Sequence, residues 1–213
     1  HSWRNTGFQQ RATFMLNLAS ILRSKKEKLA KLMAIEMGKV MREGVAEIEK
    51  CAWVCEYYAQ NAETMLENDA IETQYSASYV SYQPQGTILA VMPWNFPFWQ
   101  VFRFLAPTLM TGNTAVLKHA SNVPGCALAI EELVREAGFP ENIFRTLLVG
   151  SNMVEGIIRN PVVKAVSLTG STPAGRNVAA IAGSELKKCV LELGGSDPYI
   201  ILKEAEIENA AKV

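Results

Sequence analysis

From residue 86 onward the sequence alternates short apolar runs with amphipathic stretches, and few architectures can absorb that pattern. Strands are expected at 86–92, 114–118, 143–148, 163–168, 187–192 and 199–202. Helices are expected between and after them, at 99–110, 124–137, 153–159, 173–182 and 206–212. Strands joined through a helix run parallel, and a parallel sheet needs helices on both faces. The expectation is an α/β fold built on a Rossmann-like, doubly wound parallel sheet. Sheets of this kind collect ligands at the carboxyl ends of their strands.

A different pattern precedes the alternation. Over 8–37, Phe14, Leu18, Ile21, Leu22, Leu29, Leu32 and Met33 recur at helical spacing. Lys25, Lys26, Lys28 and Lys31 fill the other face, and Gly38 supplies a C-cap. A second long helix is expected over 41–66, with Cys51 and Cys55 on one face as small core residues. Two thiols without a His or acid partner make a poor metal site, and no metal is expected. Residues 76–82 alternate and are rich in Tyr, Ser and Val, a strand pattern that Pro84-Gln85-Gly86 breaks. The chain thus divides into leading helices over 1–73, a small strand excursion over 74–85 and the sheet region over 86–213.

Composition narrows the partners. Lys plus Arg and Asp plus Glu number 21 each, for a formal net charge of zero. Phosphate backbones need a basic surface, so no nucleic acid is expected. A near-neutral chain has little mutual repulsion, which suits self-association. The four cysteines are scattered and form no C-x-x-C pair, which excludes a disulfide scaffold and points to a reduced, cytoplasmic setting. No basic leader precedes an apolar run, and no stretch approaches the roughly 18 apolar residues of a membrane span. The opening His1-Ser2 is expected to be a tag remnant or an internal start.

Four segments carry candidate chemistry. Pro93-Trp94-Asn95-Phe96-Pro97 joins a buried strand to a helix, and its two prolines stiffen the turn and withdraw two backbone donors. A stiff turn at a strand's carboxyl end presents the Asn95 amide as a preorganised donor for an oxyanion. Trp94 and Trp99 are costly to expose, which implies a pocket or an interface beside them. Lys118 ends another strand. Thr169-Gly170-Ser171-Thr172-Pro173-Ala174-Gly175 is a Gly-rich strand-to-helix turn able to set N–H groups and the Ser171 hydroxyl toward a phosphate. It is neither G-x-G-x-x-G nor a Walker loop. Glu192, before Gly194-Gly195, ends a fourth strand, where burial would suit it to general-base work. On these residues alone an enzyme and a non-catalytic nucleotide-binding or assembly module both stay open.

Taken in order, P-W-N-F-P, the strand ending in Lys118, T-G-S-T-x-x-G and L-E-L-G-G resemble the aldehyde dehydrogenase superfamily over essentially the whole chain. The stretch M-P-W-N-F-P-F-W-Q-V-F-R resembles its bacterial-type succinate-semialdehyde members. The resemblance implies the amino-terminal, cofactor-binding portion of that fold, with a strand excursion used in assembly of a homodimer or homotetramer. It assigns Asn95 to the oxyanion hole and Glu192 to activation of the deacylating water. It gives Trp94, Lys118, Ser121, Gly150, Thr169, Gly170, Ser171 and Leu193 to the cofactor. Ser121 stands where NAD-selective members commonly carry an acid, so NADP is expected to be accepted beside NAD. Arg103, eight residues after Asn95 on a helix facing the substrate tunnel, is expected to bind the distal carboxylate of the aldehyde. His119 replaces the usual proline and is read as local variation. The family's nucleophile is a cysteine roughly three dozen residues after the glutamate; Val213 lies 21 residues beyond Glu192. This chain alone is therefore expected to bind without oxidising an aldehyde.

Overall fold

The computed structural model describes residues 2–212; His1 and Val213, the outer limits of the expected first and last regions, lie outside them. Helix α1 (Phe8–Met37) ends where Gly38 adopts φ 74° and donates its N–H to the Ala34 carbonyl, a left-handed cap that a side chain would strain. Helix α2 (Met41–Met65) folds back along α1. Met15, Leu18, Leu22 and Met33 of α1 and Ile48, Cys51 and Cys55 of α2 are fully buried. Gly44 lets the two backbones close up: a Cβ there would stand 2.9 Å from the Ala30 Cβ.

The excursion is smaller than the expected 76–82 strand. Asp69–Ala70 (β1) pairs antiparallel with Tyr79–Val80 (β2), a two-residue ladder with every residue exposed. With no apolar face to bury, alternation alone cannot extend the pairing. The Tyr82 hydroxyl donates to Asp69 Oδ2 at 2.6 Å and closes the loop.

The main sheet comprises β3 (Thr87–Met92), β4 (Thr114–His119), β5 (Phe144–Thr146), β6 (Val163–Thr169) and β7 (Lys188–Glu192). All pair in parallel, in the order β5-β4-β3-β6-β7. Between them run α3 (Trp99–Met110), α4 (Pro124–Glu136), α5 (Val154–Arg159) and α6 (Thr172–Ser184). The chain starts at the sheet's centre, winds outward to β5, crosses back, and winds outward to β7. Right-handed crossovers put α3 and α4 on one face and α5 and α6 on the other. Helices α1 and α2 cover α3 and α4, so that side is three layers deep. A second core of Leu89, Val166, Leu168, Val178 and Ile181 lies under α5 and α6. The loops leaving β3 and β6 diverge in opposite directions, which opens a crevice at the sheet's carboxyl edge.

Two expectations fail past β7. Residues 199–202 form no strand; Tyr199, Ile200, Ile201 and Leu202 are exposed and have no neighbouring strand to complete a ladder. The final helix shrinks from 206–212 to Ile207–Ala210 (α7), a single turn with no buried residue. Cys189 is half-buried against the second core, because β7 is an edge strand. Among the described residues no helix is long and apolar enough to cross a membrane.

Candidate active site

The turn at 93–98 is held from beneath by a buried ion pair. Glu47 Oε1 accepts the backbone N–H groups of Phe98 (2.8 Å) and Trp99 (2.9 Å) at the start of α3. These are N–H groups that a helix terminus leaves without internal partners, at the end where its dipole favours an anion. Glu47 Oε2 pairs with Lys39 Nζ, and the side chains are only 1% and 5% exposed. Lys39 Nζ also donates to the Asn95 carbonyl at 3.0 Å and lies 3.7 Å from the Phe96 ring centre. The Asn95 Oδ1 accepts from the Phe96 N–H at 3.2 Å. Its NH2 group makes no hydrogen bond among the described residues and faces an exposed edge. Sequence reading missed Lys39 and Glu47. The signal was present: Glu47 shares the apolar stripe of Gly44, Ile48 and Cys51, where an unpaired carboxylate would be too costly to bury.

The carboxyl ends of β4 and β5 frame a slot of about 260 Å³. Ala120, Pro124, Ala127, Leu147 and Val149 make it apolar, and Ser121 and Gly150 stand in its wall. Lys118 is half-buried on β4, opposite Val91, and its ammonium has no hydrogen bond or ion pair among the described residues. His119 is buried at 5% exposure and contacts the backbone at both ends of the 93–98 turn.

At the ends of β6 and β7, Thr169 lies opposite Glu192 in the ladder, and the Gly170 N–H donates to the Glu192 carbonyl at 3.0 Å. Ser171 caps α6 through Oγ, which accepts the Ala174 N–H at 3.4 Å. Leu193 folds over the same turn: a Cβ on Gly175 would stand 2.4 Å from Leu193 Cδ2. Arg103 reaches across from α3. Its Nη2 donates to Thr169 Oγ1 at 3.1 Å, and its Nη1 lies 3.6 Å from Glu192 Oε2. Arg103 and Glu192 both line an open hollow of about 490 Å³ between α3 and the β6–β7 face. The expected burial of Glu192 is not met, since its side chain is 54% exposed on an edge strand that nothing covers on this face. Trp94 is likewise half exposed, while Trp99 packs under Lys50, whose Nζ lies 4.0 Å from the ring centre.

The cysteines take no part in this edge. Burial pushes the thiols of Cys51, Cys55 and Cys126 up, so they stay protonated. Cys189 alternates with Lys188, Val190 and Glu192 along β7 and turns to the α6 side, away from the hollow.

An open parallel sheet with a switch point, an apolar slot, a capped Gly-rich turn and a carboxylate at its carboxyl edge defines the dinucleotide-binding class of α/β proteins. Sequence comparison makes the family specific. The profile of the aldehyde dehydrogenase family matches residues 1–213, and the chain belongs to that family. It is 51% identical to a probable succinate-semialdehyde dehydrogenase [NADP(+)] of Synechocystis sp., over 100% of this chain and 47% of that protein. It is 51% identical to succinate-semialdehyde dehydrogenase [NADP(+)] 1 of Mycobacterium bovis, over 98% of this chain and 46% of the relative. The crystal structure of succinic semialdehyde dehydrogenase from Streptococcus pyogenes in complex with NADP+ superposes with a TM-score of 0.95 at 40% identity, over 100% of this chain and 47% of that one. The chain spans about half the length of the curated relatives it matches.

Glu47→Gln leaves the Lys39 ammonium buried without its counter-charge, and removing one partner of a buried pair costs about 3–5 kcal/mol. Urea denaturation of the variant is expected to show a loss of that order; a loss under about 1 kcal/mol contradicts the support assigned to this pair.

Proposed function

We propose that this chain is the cofactor-binding portion of an NADP-linked aldehyde dehydrogenase, with NAD as a second cofactor and succinate semialdehyde as the substrate. The observation that carries the reading is Arg103 beside Glu192 in the lining of the open hollow. A guanidinium there suits a substrate with a distal carboxylate, which it can grip in a fork of two hydrogen bonds.

The residues present fit a dinucleotide. The slot is apolar enough for an adenine ring beside Gly150. Lys118, without a partner among the described residues, offers a cation to the ribose hydroxyls, and Ser121 leaves room, with no negative charge, for a 2′-phosphate. Ser171 and the first N–H groups of α6 would hold the pyrophosphate, since a helix N-terminus favours an anion. Thr169, Gly170, the Leu193 backbone and Trp94 would hold the nicotinamide side. When bound, the cofactor accepts the hydride removed from the substrate.

The remaining roles belong to the chain's own side chains. Asn95, through an NH2 with no partner among the described residues, donates to the oxygen that becomes negative when the aldehyde carbon turns tetrahedral. Glu192 takes the proton of the water that releases the acid product. Its exposure in this chain lets it meet water, and its 3.6 Å ion pair with Arg103 is loose and exposed enough to let it move. The exposed edges of β1 and β2 suit pairing between copies, in a dimer or tetramer. The regions 1–73, 74–85 and 86–213 divide accordingly into supporting helices, assembly excursion and cofactor domain, in a cytoplasmic enzyme. The alternative of a non-catalytic module is disfavoured by Asn95 and Glu192, which such a module does not need.

Three measurements test this reading. The purified 213-residue chain is expected to bind NADP+ in a calorimeter and to give no aldehyde-dependent NADPH absorbance; turnover would overturn the assignment of its cysteines as bystanders. Ser121→Glu puts a carboxylate against the 2′-phosphate and is expected to weaken NADP+ binding by about tenfold or more, ~1.4 kcal/mol, while sparing NAD+. Equal losses for both cofactors would remove Ser121 from the selective contact. In a full-length enzyme carrying these residues, Arg103→Met is expected to raise KM for succinate semialdehyde roughly ten- to hundredfold, the worth of a charged hydrogen bond. A neutral aldehyde should be little affected, and parallel effects on both would refute the carboxylate grip.

A further inference from the structure

We propose that His119 is a positioning residue whose neutral imidazole ties the end of β4 to the Pro97 end of the 93–98 turn and thereby fixes the direction of the Asn95 amide. The inference rests on the reading of Asn95 as the oxyanion donor.

The geometry determines which ring nitrogen holds the proton. Nε2 lies 2.9 Å from the Pro97 carbonyl, which can only accept, so Nε2 carries hydrogen. Nδ1 lies 2.9 Å from the Ala120 backbone nitrogen, whose N–H can only donate, so Nδ1 is bare. The Met92 carbonyl lies 3.2 Å from Nδ1, a contact and not a hydrogen bond in this tautomer, since both atoms are acceptors. Met92 and Pro97 flank Asn95 and its immediate neighbours, and Met92 is the ladder partner of His119 itself. The ring therefore bridges the strand that ends at the cofactor slot and the turn that presents the amide. It also lines that slot.

A charged ring does not fit this arrangement. A proton on Nδ1 would point at the Ala120 N–H and displace the bond it now accepts. Burial is the largest influence on the ring and lowers its proton affinity below the ordinary imidazole value of 6.5. Contacts with the Pro97 and Met92 carbonyls and the charge of Glu36 act the other way, and Lys118 adds to the lowering. Glu36, on α1, already accepts the Gly125 and Cys126 N–H groups. On the α2 side the Glu47 charge is matched by Lys39. Because the folded ring binds a proton less well than the unfolded one, its contribution to stability is present above pH 6.5 and is lost as pH falls below it.

The chain has two histidines, so ring ¹⁵N spectra of the 213-residue protein resolve His119 against a single reference, His1. The expected spectrum is the Nε2–H tautomer at pH 7, still neutral below the pH at which an ordinary imidazole charges. A charged ring or an Nδ1–H tautomer at pH 7 would falsify the proposal. His119→Leu is expected to shift the Asn95 side-chain amide resonances, and His119→Gln, which keeps a donor near the Pro97 carbonyl, is expected to restore them. Unmoved Asn95 resonances in a folded His119→Leu protein overturn the coupling. Should that variant not fold, acid titration of the unsubstituted chain decides: the Asn95 amide must move as the His119 ring charges, and an amide that stays still refutes the link. NADP+ titration of the same sample separates the two readings. A chain that holds the expected tautomer and does not bind NADP+ defeats the proposed function and leaves the staple standing.

Discussion

Glu47 has almost no access to water, and three donors converge on it: the N–H groups of Phe98 and Trp99 and the ammonium of Lys39. Much of the carboxyl edge depends on that convergence. An isolated buried carboxylate would be too costly to keep ionised, but here each oxygen is satisfied and the opposite charge is adjacent. The pair spans three elements. Lys39 follows α1, Glu47 belongs to α2, and the groups they hold begin α3. The leading helices therefore do more than cover the sheet, since they set where the turn after β3 begins and ends.

His119 approaches the same turn from the other side, from within the sheet. Between the ion pair beneath and the imidazole beside it, the turn's Asn95 and Pro97 carbonyls, its Phe98 N–H and the following Trp99 N–H have named partners. Prolines 93 and 97 restrict the backbone before any of these contacts form. The Asn95 amide is thus presented by a segment with few alternative conformations, which is what an electrostatic donor needs if it is not to reorganise during reaction.

The sheet and its order of elements were readable because period and punctuation agreed. Gly38 marked the end of α1, the strand–helix alternation implied parallel pairing, and the motif turns fell at strand ends. The failures share a physical cause. Residues 199–202 have the composition of a strand, yet composition supplies no neighbour to bond with. The 76–82 pattern reduced to two paired residues because neither face had a core to meet. The Glu192 carboxylate was expected to be buried from its place at a strand end, whereas burial depends on what lies over β7, a property of the whole assembly of layers. Lys39 and Glu47 went unread since each looks like a surface charge until helix phase places it on the apolar side. His119 looked incidental for a related reason: its partners are backbone atoms, which leave no mark in a sequence.

The unequal depth of the sheet has one more consequence. β3 has strands on both sides and two layers of helix above it, while β7 has one strand neighbour and an uncovered face. Local opening starts where few contacts must break, so the sheet should loosen from the β7 edge and hold longest at its centre. The proposed donor and the proposed base therefore sit at opposite ends of a rigidity gradient. Asn95 follows the stiffest strand and Glu192 ends the most yielding one. A group that stabilises charge gains from being fixed, and one that must collect a proton and hand it on gains from being able to swing. The winding order of the strands alone distributes those two properties.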